Sequence, residues 1–99
     1  MKITSKKEEQ RTVLTVAGRI DAQTGPQLES EILEVLKSSD SLVLDLADVD
    51  YISSAAFHAF LIGQKTAASK GKTMELHNVT APVMKLLDSV GLSKLLTIK

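Results

Sequence analysis

The chain has 99 residues and no cysteine, which excludes disulfides and thiolate metal centres. Its 12 Lys and Arg balance its 12 Asp and Glu, so it lacks the basic excess of a general nucleic-acid binder. No apolar run approaches the roughly 18 residues of a membrane span, and Met1-Lys-Ile-Thr-Ser-Lys-Lys-Glu-Glu9 carries no apolar signal segment, so the expected setting is cytoplasmic.

The length predicts one domain over residues 1–99, large enough to bury a core without staples. Residues 2–8 alternate weakly and predict a strand. Glu8 to Arg11 reads as a polar turn, and the mixed charges from Lys6 to Arg11 as a solvated hairpin. Thr12 to Ile20 alternates better, with Leu14 and Val16 on one side and Val13 and Thr15 on the other. The short connection predicts an antiparallel pair.

Thr24-Gly-Pro-Gln27 fits a capping box with Pro26 in the first helical turn, where its missing N–H costs little. Leu28, Ile32, Val35 and Leu36 follow as one apolar stripe, and Ser38, Ser39 and Asp40 end the helix. Leu42-Val-Leu-Asp-Leu46 is a nearly continuous apolar run, which predicts a central parallel strand covered on both faces. A short acidic turn leads from it to Ser53 and Ser54.

The second helix is predicted over 54–69, with Ala56, Phe57, Phe60, Leu61 and Gln64 inward and Gly71 as its stop. Phe57 and Phe60 read as core; an exposed one beside Ser54 would be an interface anchor. Thr73 to His77 predicts another strand with Met74 and Leu76 on one side. Thr80 caps a third helix with Pro82 in its first turn, Val83, Leu86, Leu87 and Val90 as its stripe, and Gly91 at its close. Ser93 starts one further turn, and Leu96 to Lys99 is a last edge strand.

The order ββαβαβα(α)β predicts an α/β fold: a small mixed, mostly parallel sheet, right-handed crossovers, and helices mainly on one face.

Chemistry concentrates at Asp45-Leu-Ala-Asp-Val-Asp-Tyr-Ile-Ser-Ser-Ala-Ala-Phe57. A hydroxyl at a helix start is fixed in place beside N–H groups that favour negative charge. Either serine can cap. The reading here takes Ser53 as the cap and Ser54 as the exposed hydroxyl, with the reverse left open. Asp21 either braces its turn or belongs to the same site. Asp45 reads as bonded to nearby backbone or a helix start. His58 and His77 have no partner at ligand spacing, so no metal site is expected. No Ser/His/Asp order, phosphate loop or carboxylate pair predicts an enzyme, and no cofactor is expected.

Three stretches resemble the STAS domain, the fold of bacterial anti-sigma factor antagonists. They are Val16-Ala-Gly-Arg-Ile-Asp21 with Thr24; Leu42 to Leu46 with Val49-Asp-Tyr-Ile-Ser-Ser-Ala55; and Val90-Gly-Leu92 with the closing strand. The resemblance spans essentially the whole chain. It implies phosphorylation at Ser54 (alternatively Ser53) by an anti-sigma factor that is a serine kinase of the GHKL type. It also implies a partner surface of Asp21, Ser53, Ser54, Ala56, Phe57 and His58. Ala56 and His58 depart from the family, which usually has Gly at the first. A second role implied by the resemblance is a STAS subunit docking on the ATPase of a phospholipid ABC transporter. A homodimer stays open.

Overall fold

The computed structural model describes residues 1–99. The elements are β1 (Lys2–Glu8), β2 (Arg11–Ile20), α1 (Gly25–Val35), β3 (Ser41–Ile52), α2 (Ser54–Ser69), β4 (Thr73–His77), α3 (Ala81–Ser89) and a 3-10 turn at Leu92–Lys94. The sheet order is β1-β2-β3-β4; the β1–β2 hairpin is antiparallel and the other two pairs are parallel. Each crossover advances one place in the same direction, so right-handed connections place all three helices on one face.

The core confirms that arrangement. One cluster of 21 buried residues joins Leu14 and Val16 of β2, Leu42, Leu44 and Leu46 of β3, and Met74 and Leu76 of β4. Leu28 and Ile32 of α1, Ala56, Ala59 and Phe60 of α2, and Val83 and Leu87 of α3 belong to it as well. Val43 points the other way and lies outside that cluster. It is only 2% exposed because its neighbours in register, Val13 and Glu75, close over it. The expected cover on both faces of Leu42–Leu46 is therefore corrected: Val43 is the run's one buried residue on the far side, and Asp45 beside it is half-buried.

β3 is longer than the predicted 42–46, and the expected acidic turn is strand. Between Thr15 and Ala17 of β2 the partner advances from Asp45 to Asp48, and between Ala17 and Arg19 from Asp48 to Tyr51. Each step leaves one extra residue on β3, a bulge. The buried residues Leu46, Val49 and Ile52 then recur every third position rather than every second.

Other expectations change at helix ends. Thr24 sits at the N-cap of α1 but its side chain makes no capping bond, because its hydroxyl serves the Asp21 turn. Thr80 likewise does not cap α3; its hydroxyl donates to the Val49 carbonyl at 2.8 Å, tying the start of α3 to β3. A tertiary partner outcompetes the cap at Thr80, and the preceding turn outcompetes it at Thr24. On α2 the buried residues are Ala56, Ala59, Phe60, Gly63 and Ala67, while Phe57, Leu61 and Gln64 are half-buried. Small residues form that seam because α1 and β4 approach closely: a methyl on Gly63 would lie 2.8 Å from Ile32 and 2.7 Å from Met74. Val90 is 52% exposed, outside the predicted stripe. The last strand reduces to a single parallel bridge between Leu76 and Ile98.

Candidate functional site

The β2–β3 ladder ends at Ile20 and Ile52, and the Ser53 N–H adds one more bond to the Ile20 carbonyl at 2.9 Å. Beyond this point the chains diverge. β2 runs into the Asp21 turn before α1, and β3 runs directly into α2. The carboxyl ends of two parallel strands thus set two helix starts side by side.

Ser53 is extended, with φ −110° and ψ −176°, and its hydroxyl accepts from the Ala55 N–H at 3.3 Å. That is the N-cap role, because a side-chain oxygen there replaces a carbonyl the first turn lacks. Ser54 is therefore the first residue of α2. It is exposed, and its hydroxyl makes no hydrogen bond within the chain. No acidic residue occupies the first turn.

The Asp21 turn is closed by its own side chain. Oδ1 accepts from the N–H of Thr24 at 3.1 Å and of Gln23 at 3.0 Å. The Asp21 N–H donates to Thr24 Oγ1 at 2.9 Å, and that hydroxyl lies 3.1 Å from both the Arg19 carbonyl and Asp21 Oδ1. The Thr24 N–H, then the Gln23 N–H, hold the Asp21 pKa below its ordinary value near 3.8, with smaller help from the Thr24 hydroxyl and the Arg19 charge against partial desolvation. A lowered carboxyl adds stability above its unfolded pKa and loses it as pH falls through the folded one. The stability gap between the native chain and Asp21→Ala should thus be wider at neutral pH than below the ordinary carboxylate range. Urea midpoints at both pH values read this; an equal gap would deny the carboxylate its part.

Arg19 and Tyr51 lie opposite each other in register, and the guanidinium stands 4.6 Å from the centroid of the exposed ring. Such stacking contributes about 0.5–1 kcal/mol at exposed sites. The sequence carried no signal for this pair, because the bulges of β3 set its register. Asp48 and Asp50 are exposed along the same stretch.

Across the two helix starts, Gly25, Pro26, Glu29, Ser54, Ala55 and His58 line a shallow open cleft of about 460 Å³. Gly25 makes it: a methyl there would lie 2.7 Å from Ala55 Cβ and 3.2 Å from its carbonyl carbon. His58 Nε2 lies 3.4 Å from Glu29 Oε1, an ion pair when the imidazole is protonated. Neither Glu29 nor Gly25 stood out in the sequence, since both contacts cross from α1 to α2.

The structure brings Asp21, Ser53, Ser54 and His58 together at this end of the sheet and excludes one expected member. Ala56 is fully buried in the core, so its methyl cannot meet a partner. Phe57 is half-buried against that core. Asp45 Oδ1 accepts from the Ala47 N–H and from Asn78 Nδ2, the backbone role expected of it together with one side-chain partner. His77 pairs with Glu75 at 2.9 Å, on β4.

The family model described as Mlab, STAS domain matches residues 3–97. The anti-sigma-B factor antagonist of Listeria monocytogenes is 33% identical over 86 residues, which cover 85% of this chain and 75% of that protein. The anti-sigma-B factor antagonist of Bacillus subtilis is 26% identical over 93 residues, covering 94% of this chain and 85% of that protein. The anti-sigma factor antagonist SpoIIAA of Bacillus, in its unphosphorylated form, shares the fold with a TM-score of 0.84 at 13% identity, over 99% of this chain and 88% of that one. A structure of SpoIIAA in the phosphorylated form is also similar. By its sequence from residue 3 to residue 97, and by its fold, the chain belongs to the STAS domain family.

Proposed function

We propose that this chain acts as an anti-sigma factor antagonist: it docks on an anti-sigma factor, and phosphate on Ser54 ends the docking. The observation that carries the reading is the division of labour between the two serines. Ser53 holds the cap, which leaves the Ser54 hydroxyl exposed and unbonded at the first position of α2. A kinase can reach that hydroxyl without unwinding the helix. The names of the curated relatives support the same role.

The partner in this reading is a serine kinase of the GHKL type that is itself the anti-sigma factor. Catalysis belongs to that partner, and this chain supplies a surface and an acceptor. The surface comprises the Asp21 turn, Ser53, Ser54 and His58, with Phe57 at its margin. It makes no use of a homodimer.

The test is phosphoryl transfer. With a GHKL-type anti-sigma kinase and ATP, the chain should gain the mass of one phosphate, mapped to Ser54 by fragmentation, and Ser54→Ala should gain none. With ATP alone the native chain should stay unmodified. Transfer that persists in Ser54→Ala overturns the assignment. An unmodified native chain overturns the switch, and is the result expected of a STAS subunit that uses Ser54 only as a contact on a transporter ATPase.

A further inference from the structure

His58 follows Ser54 by one helical turn. Side chains on a helix lean toward its N-terminus, so the later of two residues at i and i+4 reaches over the earlier. Both line the cleft between α1 and α2, where Glu29 and His58 are the only titratable groups among the lining residues. In the unmodified chain the serine offers the imidazole no charge, and Glu29 stands 3.4 Å from Nε2. The side chains of His58 and Glu29 are 66% and 31% exposed, so the imidazole is free to turn.

A phosphoryl group on Ser54 changes that balance. The γ-phosphoryl of ATP bonds to Oγ, the hydroxyl proton leaves, and ADP departs. The ester carries about −1.5 to −2 charge at neutral pH and three acceptor oxygens. Glu29 competes with one charge from the neighbouring helix, and the phosphate stands on the imidazole's own face one turn away.

We propose that His58 is the residue that reads the phosphate: the ester on Ser54 draws the imidazolium from Glu29 into a charge-assisted pair with itself. This rests on Ser54 being the acceptor. The unmodified chain then carries a His58–Glu29 bridge from α2 to α1. The modified chain loses the bridge, and Glu29 is left uncompensated beside a new anion. One modification thus makes both helix starts more acidic. At neutral pH the ester is mostly the dianion, because its second ionisation lies near pH 6, so it meets the imidazole with more charge than one carboxylate does.

The test needs no kinase. Phosphoserine is installed at position 54 during synthesis by codon reassignment, and the imidazole nitrogens of His58 are followed by NMR against pH. Four chains are compared: native, phosphorylated, and each with Glu29→Gln. An opposite charge within about 4–6 Å moves such a midpoint by about one unit or more, so the His58 midpoint should rise by that amount on phosphorylation. The rise should be as large in the Glu29→Gln background, because the ester and not Glu29 holds the imidazolium there. His77, paired with Glu75 on β4, is the internal control and should not move. An unchanged His58 midpoint on phosphorylation overturns the proposal, as does a rise that Glu29→Gln abolishes. If the midpoint rises but no kinase modifies the chain, the pairing stands and the antagonist reading falls. If a kinase modifies Ser54 and the midpoint stays, the pairing falls alone.

Discussion

Ser54→Asp should weaken binding of the anti-sigma partner about a hundredfold or more, while Ser54→Ala should stay within a few-fold of the native chain. The argument is one of charge placement. A docked surface excludes water, and a like charge brought into it costs several kcal/mol through repulsion and lost hydration; each 1.4 kcal/mol or so is tenfold in affinity. Asp48 and Asp50 stand exposed along β3 and Asp21 lies in the neighbouring turn, with Arg19 and His58 as the cations nearby, so the added anion changes the sign of the surface that a partner meets at Ser54. The folded chain itself should not suffer. An acidic side chain in the first turn of a helix is favoured by about 0.3–1 kcal/mol, so Ser54→Asp should melt no lower than the native protein. Lost binding with unchanged or raised stability is the signature that separates a charge switch from a damaged fold. Calorimetric titration of the three chains with the purified partner reads it. Equal affinities for the two variants would end the switch, and loss with alanine as well would make the hydroxyl a contact instead.

The largest loss of stability should come from Phe60→Ala, about 3–5 kcal/mol. Phe60 is fully buried and is the largest side chain in a core that is otherwise aliphatic. Of the chain's three aromatic residues, Tyr51 is exposed and Phe57 only half-buried. The remaining neighbours on α2 are Ala56, Ala59 and Gly63, which cannot grow into the void. Domains of this size hold about 5–15 kcal/mol in all, so this one change removes a large share. Phe57→Ala should cost clearly less, since its ring keeps contact with water. Guanidinium denaturation of both variants is the measurement; equal losses would show that the packing of α2 is misread.

Where one local signal dominated, the sequence was legible. The predicted 54–69 helix and the Thr73–His77 strand match the observed bounds, because a cap and a glycine stop both act within a few residues; the inner face of the helix matches only at Ala56 and Phe60, since α1 and β4 select the small residues there. The serine pair was legible for the same reason, as capping depends on immediate neighbours. β3 was not. Its two bulges turn a two-residue alternation into the three-residue spacing of Leu46, Val49 and Ile52, which no strand template contains. The Thr80 cap failed because Val49 offers a carbonyl that becomes a neighbour only after folding, and the Thr24 cap because its hydroxyl closes the Asp21 turn just before it. Ala56 was placed on the partner surface from its position in the motif, whereas helical phase turns it into the core. The Glu29–His58 and Arg19–Tyr51 pairs lie 29 and 32 positions apart, beyond any local pattern.

The contact between Gly25 and Ala55 leaves no slack where α1 and α2 begin. A partner that grips one helix start therefore grips both, as it would a single stiff block. Such a block cannot yield to absorb an unwelcome anion, so the penalty of a modification is felt in full by whatever sits on it. Close backbone packing here sharpens discrimination with no movement beyond that of side chains.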